Sequence, residues 1–164
     1  MYVVSDHALS AKDPADIIGE LKDRAEVTDA LYRFTLGLDL RDRELAASAF
    51  AADAELESRA TTGKGEPGPV MTGRDTIVET VLATIARLDT THVVTNPRIQ
   101  VNGDAARLTA IVEAQHLLTA DHSRNALMKN RYTVALCRDG ERWVMRRVRV
   151  ETVWHAGDPA AVFG

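Results

Sequence analysis

The chain has 164 residues, of which 45% are hydrophobic and 27% are charged, and its formal net charge is −4. This balance is typical of one globular domain with a sizeable core, and the small negative charge argues against a nucleic-acid partner. The single cysteine, Cys137, excludes an intramolecular disulfide and fits a cytoplasmic location. No apolar run approaches the roughly 18 residues of a membrane span, so we expect no membrane association.

The first and last predicted elements define the domain organisation. Asp13 and Pro14 are typical of a helix start, with the aspartate as the cap and the proline in the first turn. We interpret residues 1–16 as a loosely held N-terminal arm, residues 17–155 as one α+β domain and residues 156–164 as a peripheral tail.

A long amphipathic helix is predicted to end near Leu38. Its apolar positions recur at helical spacing and form a buried stripe, which comprises Val27, Leu31, Phe34 and Leu38. Tyr32 and Asp39 differ by only about 20° in direction on such a helix, and their line borders the stripe. An acid in that place is costly unless it has a polar partner.

Shorter elements follow this helix. Two further helices are predicted over about residues 42–50 and 72–88, with a short strand over residues 54–59 between them. The intervening segment 61–69, TTGKGEPGP, has three glycines and two prolines and is predicted to be a loop. It lacks the spacing of a phosphate-binding loop.

From His92 onward the apolar pattern changes to a period of two residues, which predicts four long antiparallel strands. They cover about residues 92–101, 105–119, 126–138 and 142–154, with turns between them. Pro97 predicts that the first of these strands is an edge strand or contains a bulge, and a change of apolar parity near Arg146 predicts a bulge in the last. On the second strand, His116 is the only polar group on the apolar face.

The third strand carries Met128, Asn130 and Tyr132 on one apolar face, so Asn130 is a second polar group there. Three helices and four strands predict an α+β domain in which a curved antiparallel sheet wraps the helices and encloses a cone-shaped cavity. We expect a substrate in that cavity, in contact with these three residues and Tyr32.

The main chemical hypothesis is a dyad of Asp39 and His92 inside the cavity, with His116 as a further catalytic group. A carboxylate that holds a neutral imidazole fixes its tautomer and directs its basic nitrogen at the substrate. Structural alternatives remain for the other polar groups: His116 could bond Glu113 or a main-chain carbonyl, and Asn130 could stabilise a bulge or turn. No persuasive metal site is present.

Several segments together carry a resemblance to a known family. They are RAEVTDALYRFTLGLD, FAADAELE, TGRDTI, THVVTNPRIQVNGDAA, EAQH and DGERWVMRRVRV. Over about residues 21–154 the chain resembles the nuclear transport factor 2-like superfamily, and within it the SnoaL-like and scytalone dehydratase-like branch. The resemblance implies the same cone-shaped fold, which is also described as cystatin-like.

The resemblance also implies roles for individual residues. In enzymes of this branch an aspartate orients a histidine that acts as base, and the matching positions are Asp39 and His92. His116 matches a second active-site histidine, and Asn130 lies near the position of a strand asparagine. The tyrosine that precedes the aspartate in scytalone dehydratase is Leu38 here. Chemistry without a metal or cofactor is implied.

Taken together, these features favour a small cofactor-independent enzyme that acts on a hydrophobic, ring-containing or polyketide-like molecule. A dehydratase, which is a lyase, is the first choice, and an isomerase or cyclase needs the same groups. The alternatives are a non-catalytic binding protein and a protein that resembles the small subunit of ring-hydroxylating dioxygenases.

Self-association is expected from the outer face of the sheet. That face carries four apolar or weakly polar residues among charged ones, namely Ile111, Leu117, Ala135 and Cys137. A homo-dimer or homo-trimer would cover them.

Overall fold

The computed structural model describes residues 13–59 and 69–164 of the chain. Residues 1–12, which are most of the predicted N-terminal arm, and residues 60–68, which include nearly all of the loop predicted over residues 61–69, lie outside the described residues. The helices are α1 (Pro14–Leu40), α2 (Arg43–Ala47), α3 (Arg74–Thr84) and α4 (Pro159–Phe163). The strands are β1 (Phe50–Ser58), β2 (Val70–Thr72), β3 (Leu88–Asn102), β4 (Ala105–Leu118), β5 (Asp121–Asp139) and β6 (Arg142–Gly157).

The six strands of the described residues form one curved, unclosed sheet in the order β2-β1-β6-β5-β4-β3. Consecutive strands from β3 to β6 pair antiparallel, as predicted. The short strand β1 pairs parallel to β6, which the period-two pattern did not predict. The α+β class and the packing of a curved sheet on N-terminal helices are confirmed.

Helix α1 crosses the inner face of the sheet and fills the core. The carboxylate of Asp13 caps the helix by accepting a hydrogen bond from the Ala15 amide at 2.8 Å, and Pro14 occupies the first turn. The predicted stripe is buried, and Phe34 packs edge-to-face on Phe50 with ring centroids 4.9 Å apart. Each such side chain contributes about 1.5–3 kcal/mol by burial, which fixes the helix on the sheet.

The end of α1 approaches α2 so closely that only glycine fits at the contact. A Cβ atom on Gly37 would lie 2.5 Å from the main-chain nitrogen of Ala46, so any larger residue would push the helices apart. This contact lies two residues before Asp39 and therefore fixes the end of α1, which carries the acid, relative to α2.

The inner face of the sheet follows the predicted alternation. On β4 the even-numbered residues from Ala106 to His116 are all buried. The pairing of β3 with β4 shifts between Thr95 and Arg98, and the pairing of β5 with β6 shifts so that Arg146 has no partner residue, which confirms both predicted bulges.

Several elements differ from the sequence predictions. Helix α3 ends at Thr84, and β3 begins at Leu88, so His92 lies four residues inside the strand. The C-terminal tail forms the short helix α4, whose Val162 is only 3% exposed and joins the core. None of the helices in residues 13–59 and 69–164 is long and apolar enough to cross a membrane.

Candidate active site

The centre of the candidate site is a carboxylate–imidazole pair that joins the end of α1 to β3. Oδ1 of Asp39 lies 2.6 Å from Nδ1 of His92, and Oδ2 of Asp39 accepts a hydrogen bond from the His92 main-chain amide at 2.8 Å. The His92 side chain is 5% exposed and that of Asp39 is 18% exposed. The imidazole is therefore held at its Nδ1 edge, and its Nε2 edge is the one that can act on another molecule.

A third hydrogen bond reaches the same carboxylate. The hydroxyl of Thr90 donates to Oδ1 of Asp39 at 3.0 Å, and Nη1 of Arg41 lies 3.1 Å from that hydroxyl oxygen. Thr90 precedes His92 by two residues on β3, so both side chains lie on the inner face.

These contacts keep Asp39 ionised. Burial by itself raises the pKa of Asp39, but the hydrogen bonds from His92 and Thr90 and the attraction of the imidazole outweigh it. The pKa of Asp39 therefore lies below its ordinary range. At neutral pH the group is an acceptor, which is the state that holds the Nδ1–H tautomer of His92.

His116 on β4 is the second histidine of the group. Its ring centroid lies 6.0 Å from that of His92, and its Nδ1 is buried without a hydrogen-bond partner among the described residues. Main-chain contacts with Ala126 and Ala114 favour its protonated form. Burial and repulsion by His92 dominate and lower the pKa of His116 to about 4. The His116 imidazole is therefore neutral at physiological pH.

The register of the sheet brings the predicted β5 residues to the same inner face. Across the strands, His92 of β3 is paired with Ala114 of β4, and Ala114 is paired with Met128 of β5. Two residues further along β5, Asn130 is paired with Thr152 of β6. The Thr152 hydroxyl donates to Oδ1 of Asn130 at 2.9 Å, which fixes the amide orientation.

Tyr132 and Tyr32 differ in their surroundings. Tyr132 lies on the inner face of β5 and is 6% exposed, and burial raises the pKa of its phenol. Tyr32 on α1 is 46% exposed, so it does not share the burial of the other predicted residues. Within residues 13–59 and 69–164, no group of three histidine, cysteine, aspartate or glutamate side chains is arranged to hold a metal ion.

The site also contains three residues that the sequence did not identify as candidates. They are Arg41, Thr90 and Phe163, whose ring packs edge-to-face on His116 at 4.9 Å. Thr90 lies two residues before the strand that the sequence predicted, so the period-two pattern did not include it. Asp158 and Pro159 repeat the helix-start pattern of α1, which is a signal for the helix that carries Phe163. The reach of Arg41 depends on its left-handed backbone conformation, which the sequence does not reveal.

Comparison with known proteins agrees with the geometry of the fold. A family model described as SnoaL-like domain matches residues 19–149. Terrestric acid biosynthesis cluster protein E of Penicillium crustosum is 30% identical over 158 residues, which cover 92% of this chain and 96% of that protein.

Solved structures with the same fold include a candidate scytalone dehydratase from Novosphingobium aromaticivorans, with a TM-score of 0.73 and 20% identity over 90% of this chain and 95% of that one. They also include hexachlorocyclohexane dehydrochlorinase LinA-type3 from Novosphingobium barchaimii, with a TM-score of 0.72 and 19% identity over 90% of this chain and 98% of that one. Because the family model spans most of the chain and the Penicillium relative matches nearly all of it, this chain belongs to the SnoaL-like domain family.

Proposed function

We propose that the chain is a cofactor-independent enzyme in which His92 removes a proton from a carbon atom of a hydrophobic, ring-containing substrate. The observation that carries this proposal is the 2.6 Å contact between Nδ1 of His92 and Oδ1 of Asp39. A carboxylate only accepts, so Nδ1 carries the proton and Nε2 keeps its lone pair. An imidazole oriented in this way is a general base, and Asp39 stabilises the imidazolium that forms.

The neighbouring polar groups suit an oxygen atom on the substrate that gains charge during the reaction. His116 is neutral, because its pKa is about 4, and can donate one hydrogen bond without adding a competing positive charge. Thr152 occupies the oxygen of the Asn130 amide, so the amide N–H groups remain the donors on its other side. The phenol of Tyr132 stays protonated, because burial raises its pKa. Donors placed in advance stabilise a developing oxyanion.

Dehydration is the first choice of reaction. His92 takes the proton next to a carbonyl, the C–H electrons form the new double bond, and the hydroxyl on the adjacent carbon departs with that proton as water. The names of two proteins that share the fold, a candidate dehydratase and a dehydrochlorinase, both denote eliminations, which supports a lyase. Isomerisation and cyclisation begin with the same proton removal and differ in where the electron pair goes.

A small biosynthetic molecule is the proposed substrate class. The relative from Penicillium crustosum is named for a terrestric acid biosynthesis cluster, which supports a product of that kind of pathway. A non-catalytic binding protein is the alternative, and it would have no need for an imidazole held by a buried carboxylate. The dioxygenase-subunit alternative and a cytoplasmic location both remain expectations.

The test is product analysis with a panel of ring-containing β-hydroxy ketones. We expect wild-type protein to yield an unsaturated ketone that has lost one water, detected by mass spectrometry and by the new conjugated absorbance, and His92→Gln to yield little. His122→Gln is the matched control, because His122 also lies 2.7 Å from an aspartate, Asp89, but at the surface. Tight binding of these ketones without any turnover would favour the binding alternative.

A further inference from the structure

Arg41 lies at a junction of three elements next to the dyad. It caps α1 in the left-handed conformation, with φ of 57°. Its guanidinium donates to the carbonyls of Leu38 at the end of α1, of Ile85 after α3 and of Leu88 at the start of β3, the contact with Ile85 measuring 3.1 Å. The same side chain therefore fixes the end of α1, which carries Asp39, to the strand that carries His92.

The fourth partner of Arg41 determines the direction of a hydrogen-bond chain. A guanidinium only donates, so at 3.1 Å from Oγ1 of Thr90 it occupies an acceptor lone pair of that hydroxyl. The hydroxyl has a single proton, and its other partner is Oδ1 of Asp39 at 3.0 Å. Because Arg41 donates to the Thr90 oxygen, the Thr90 hydroxyl donates its proton to Asp39.

The Asp39 carboxylate is then held on both oxygens. Oδ1 accepts from Thr90 and from Nδ1 of His92, and Oδ2 accepts from the His92 main-chain amide. Rotation of the carboxylate would break all of these bonds at once. The imidazole, which depends on Oδ1, therefore has one orientation.

We propose that Arg41 and Thr90 are positioning residues that lock the Asp39 carboxylate and, through it, the direction of Nε2 of His92. This inference rests on the proposed function only for its kinetic consequence, because the orientation of the imidazole can be measured without a substrate. Neither residue is proposed to touch the substrate.

The chain contains a matched comparison for this arrangement. At the surface, Asp89 accepts from the Thr119 hydroxyl at 3.0 Å and pairs with Nε2 of His122 at 2.7 Å. That group has the same three residue types, but its histidine side chain is 59% exposed. Thr119→Val therefore removes a chemically equivalent hydroxyl outside the site.

The experiment measures the Nδ1–H proton of His92 by NMR in imidazole-labelled protein, with Asp39→Asn to assign it. In wild type we expect a low-field resonance in slow exchange with water. Thr90→Val, which keeps the shape of the side chain, should speed that exchange at least about tenfold, and Thr90→Ser, which keeps the hydroxyl, should restore the wild-type rate. Arg41→Met should act in the same direction as Thr90→Val, and Thr119→Val should leave the His92 resonance unchanged.

Kinetics on any substrate found by screening add a second readout. Loss of the fixed orientation of the His92 imidazole should lower kcat about tenfold in Thr90→Val with little change in KM. A misdirected base impairs proton transfer more than it impairs substrate binding. Wild-type exchange and wild-type kcat in both Thr90→Val and Arg41→Met would overturn the proposal. Wild-type turnover in His92→Gln would instead overturn the proposed function, and the exchange rate in Thr90→Val would still decide the positioning role.

Discussion

The imidazole rings of His92 and His116 lie 6.0 Å apart between centroids with their planes at 87°, yet their surroundings differ in charge. His92 is paired with the ionised carboxylate of Asp39, whereas the buried Nδ1 of His116 has no partner among residues 13–59 and 69–164. The proposed function therefore assigns the two histidines different tasks: His92 accepts a proton, and His116 remains neutral.

The low pKa of His116 predicts a pH-dependent stability. Its pKa is about 4 in the folded chain and about 6.5 when unfolded, so below pH 6.5 the unfolded state binds a proton that the folded state does not. Folding stability is therefore complete above pH 6.5 and falls as pH drops towards 4, by about 3 kcal/mol in all. Urea unfolding of wild type and His116→Gln between these pH values should show a flatter dependence in the variant. An equal pH dependence of stability in wild type and His116→Gln would contradict the burial of this imidazole. His155→Gln, which removes an exposed histidine, is the control and should keep the wild-type dependence.

Replacement of Asp39 by Asn should reduce turnover more than binding. The amide keeps the volume of the carboxylate but can present an N–H group to Nδ1 of His92, which would favour the wrong tautomer. We expect a lower kcat with a smaller change in KM, measured by steady-state kinetics. Asp89→Asn changes the surface pair in the same way and should have no such effect; a comparable loss there would point to a general defect.

The C-terminal helix should influence the candidate site through Phe163. Its ring packs on His116 at 4.9 Å although the residue is 38% exposed, and aromatic contacts of this kind contribute about 0.5–1.5 kcal/mol. Phe163→Ala should therefore weaken binding of an apolar substrate and lower stability slightly, while Phe163→Leu should restore part of both. Isothermal titration measures the binding and thermal unfolding measures the stability. Unchanged ligand affinity in Phe163→Ala would show that α4 does not contribute to the site.

Self-association through the outer face of the sheet remains a proposal. Val93 on β3 and Trp154 on β6 lie on that face at 51% and 50% exposure, in the same row as the ion pair of Glu113 and Lys129. Apolar residues beside charges of both signs suit a second copy of the same face. Light scattering at micromolar concentration should give a dimer or trimer mass, and Trp154→Arg should shift it to the monomer. A wild-type monomer would show that the face stays exposed.

Local patterns in the sequence were sufficient to predict most of the fold. The period-two pattern predicted β4 and the inward position of His116. Pro97 predicted the irregularity in β3, where the register shifts between Thr95 and Arg98 and Asn96 has a φ of 53°. The partnership of β1 with β6 was not predictable in this way, because parallel pairing joins residues about 90 positions apart and leaves no local signature.

Some residues of the candidate site could also be predicted from the sequence, and others could not. Asp39 could be selected as a candidate because an acid beside an apolar stripe conflicts with its local surroundings, and His92 because the resemblance to the SnoaL-like branch places a histidine there as its partner. Arg41 was not identifiable, because its role depends on a left-handed backbone and on carbonyls from three separate elements. Phe163 was missed because a five-residue helix carries too little periodicity to reveal its packing face.

The most direct test of the central claim is the turnover number of His92→Ala on a substrate that wild type converts, with unchanged folding verified by circular dichroism. If His92 is the base, kcat should fall by about 10²–10⁴-fold, the usual contribution of a general base. His122→Ala, which removes the exposed imidazole paired with Asp89, should retain wild-type kcat. A His92→Ala protein with near wild-type kcat would contradict proton abstraction by this residue and would favour a ligand-binding role.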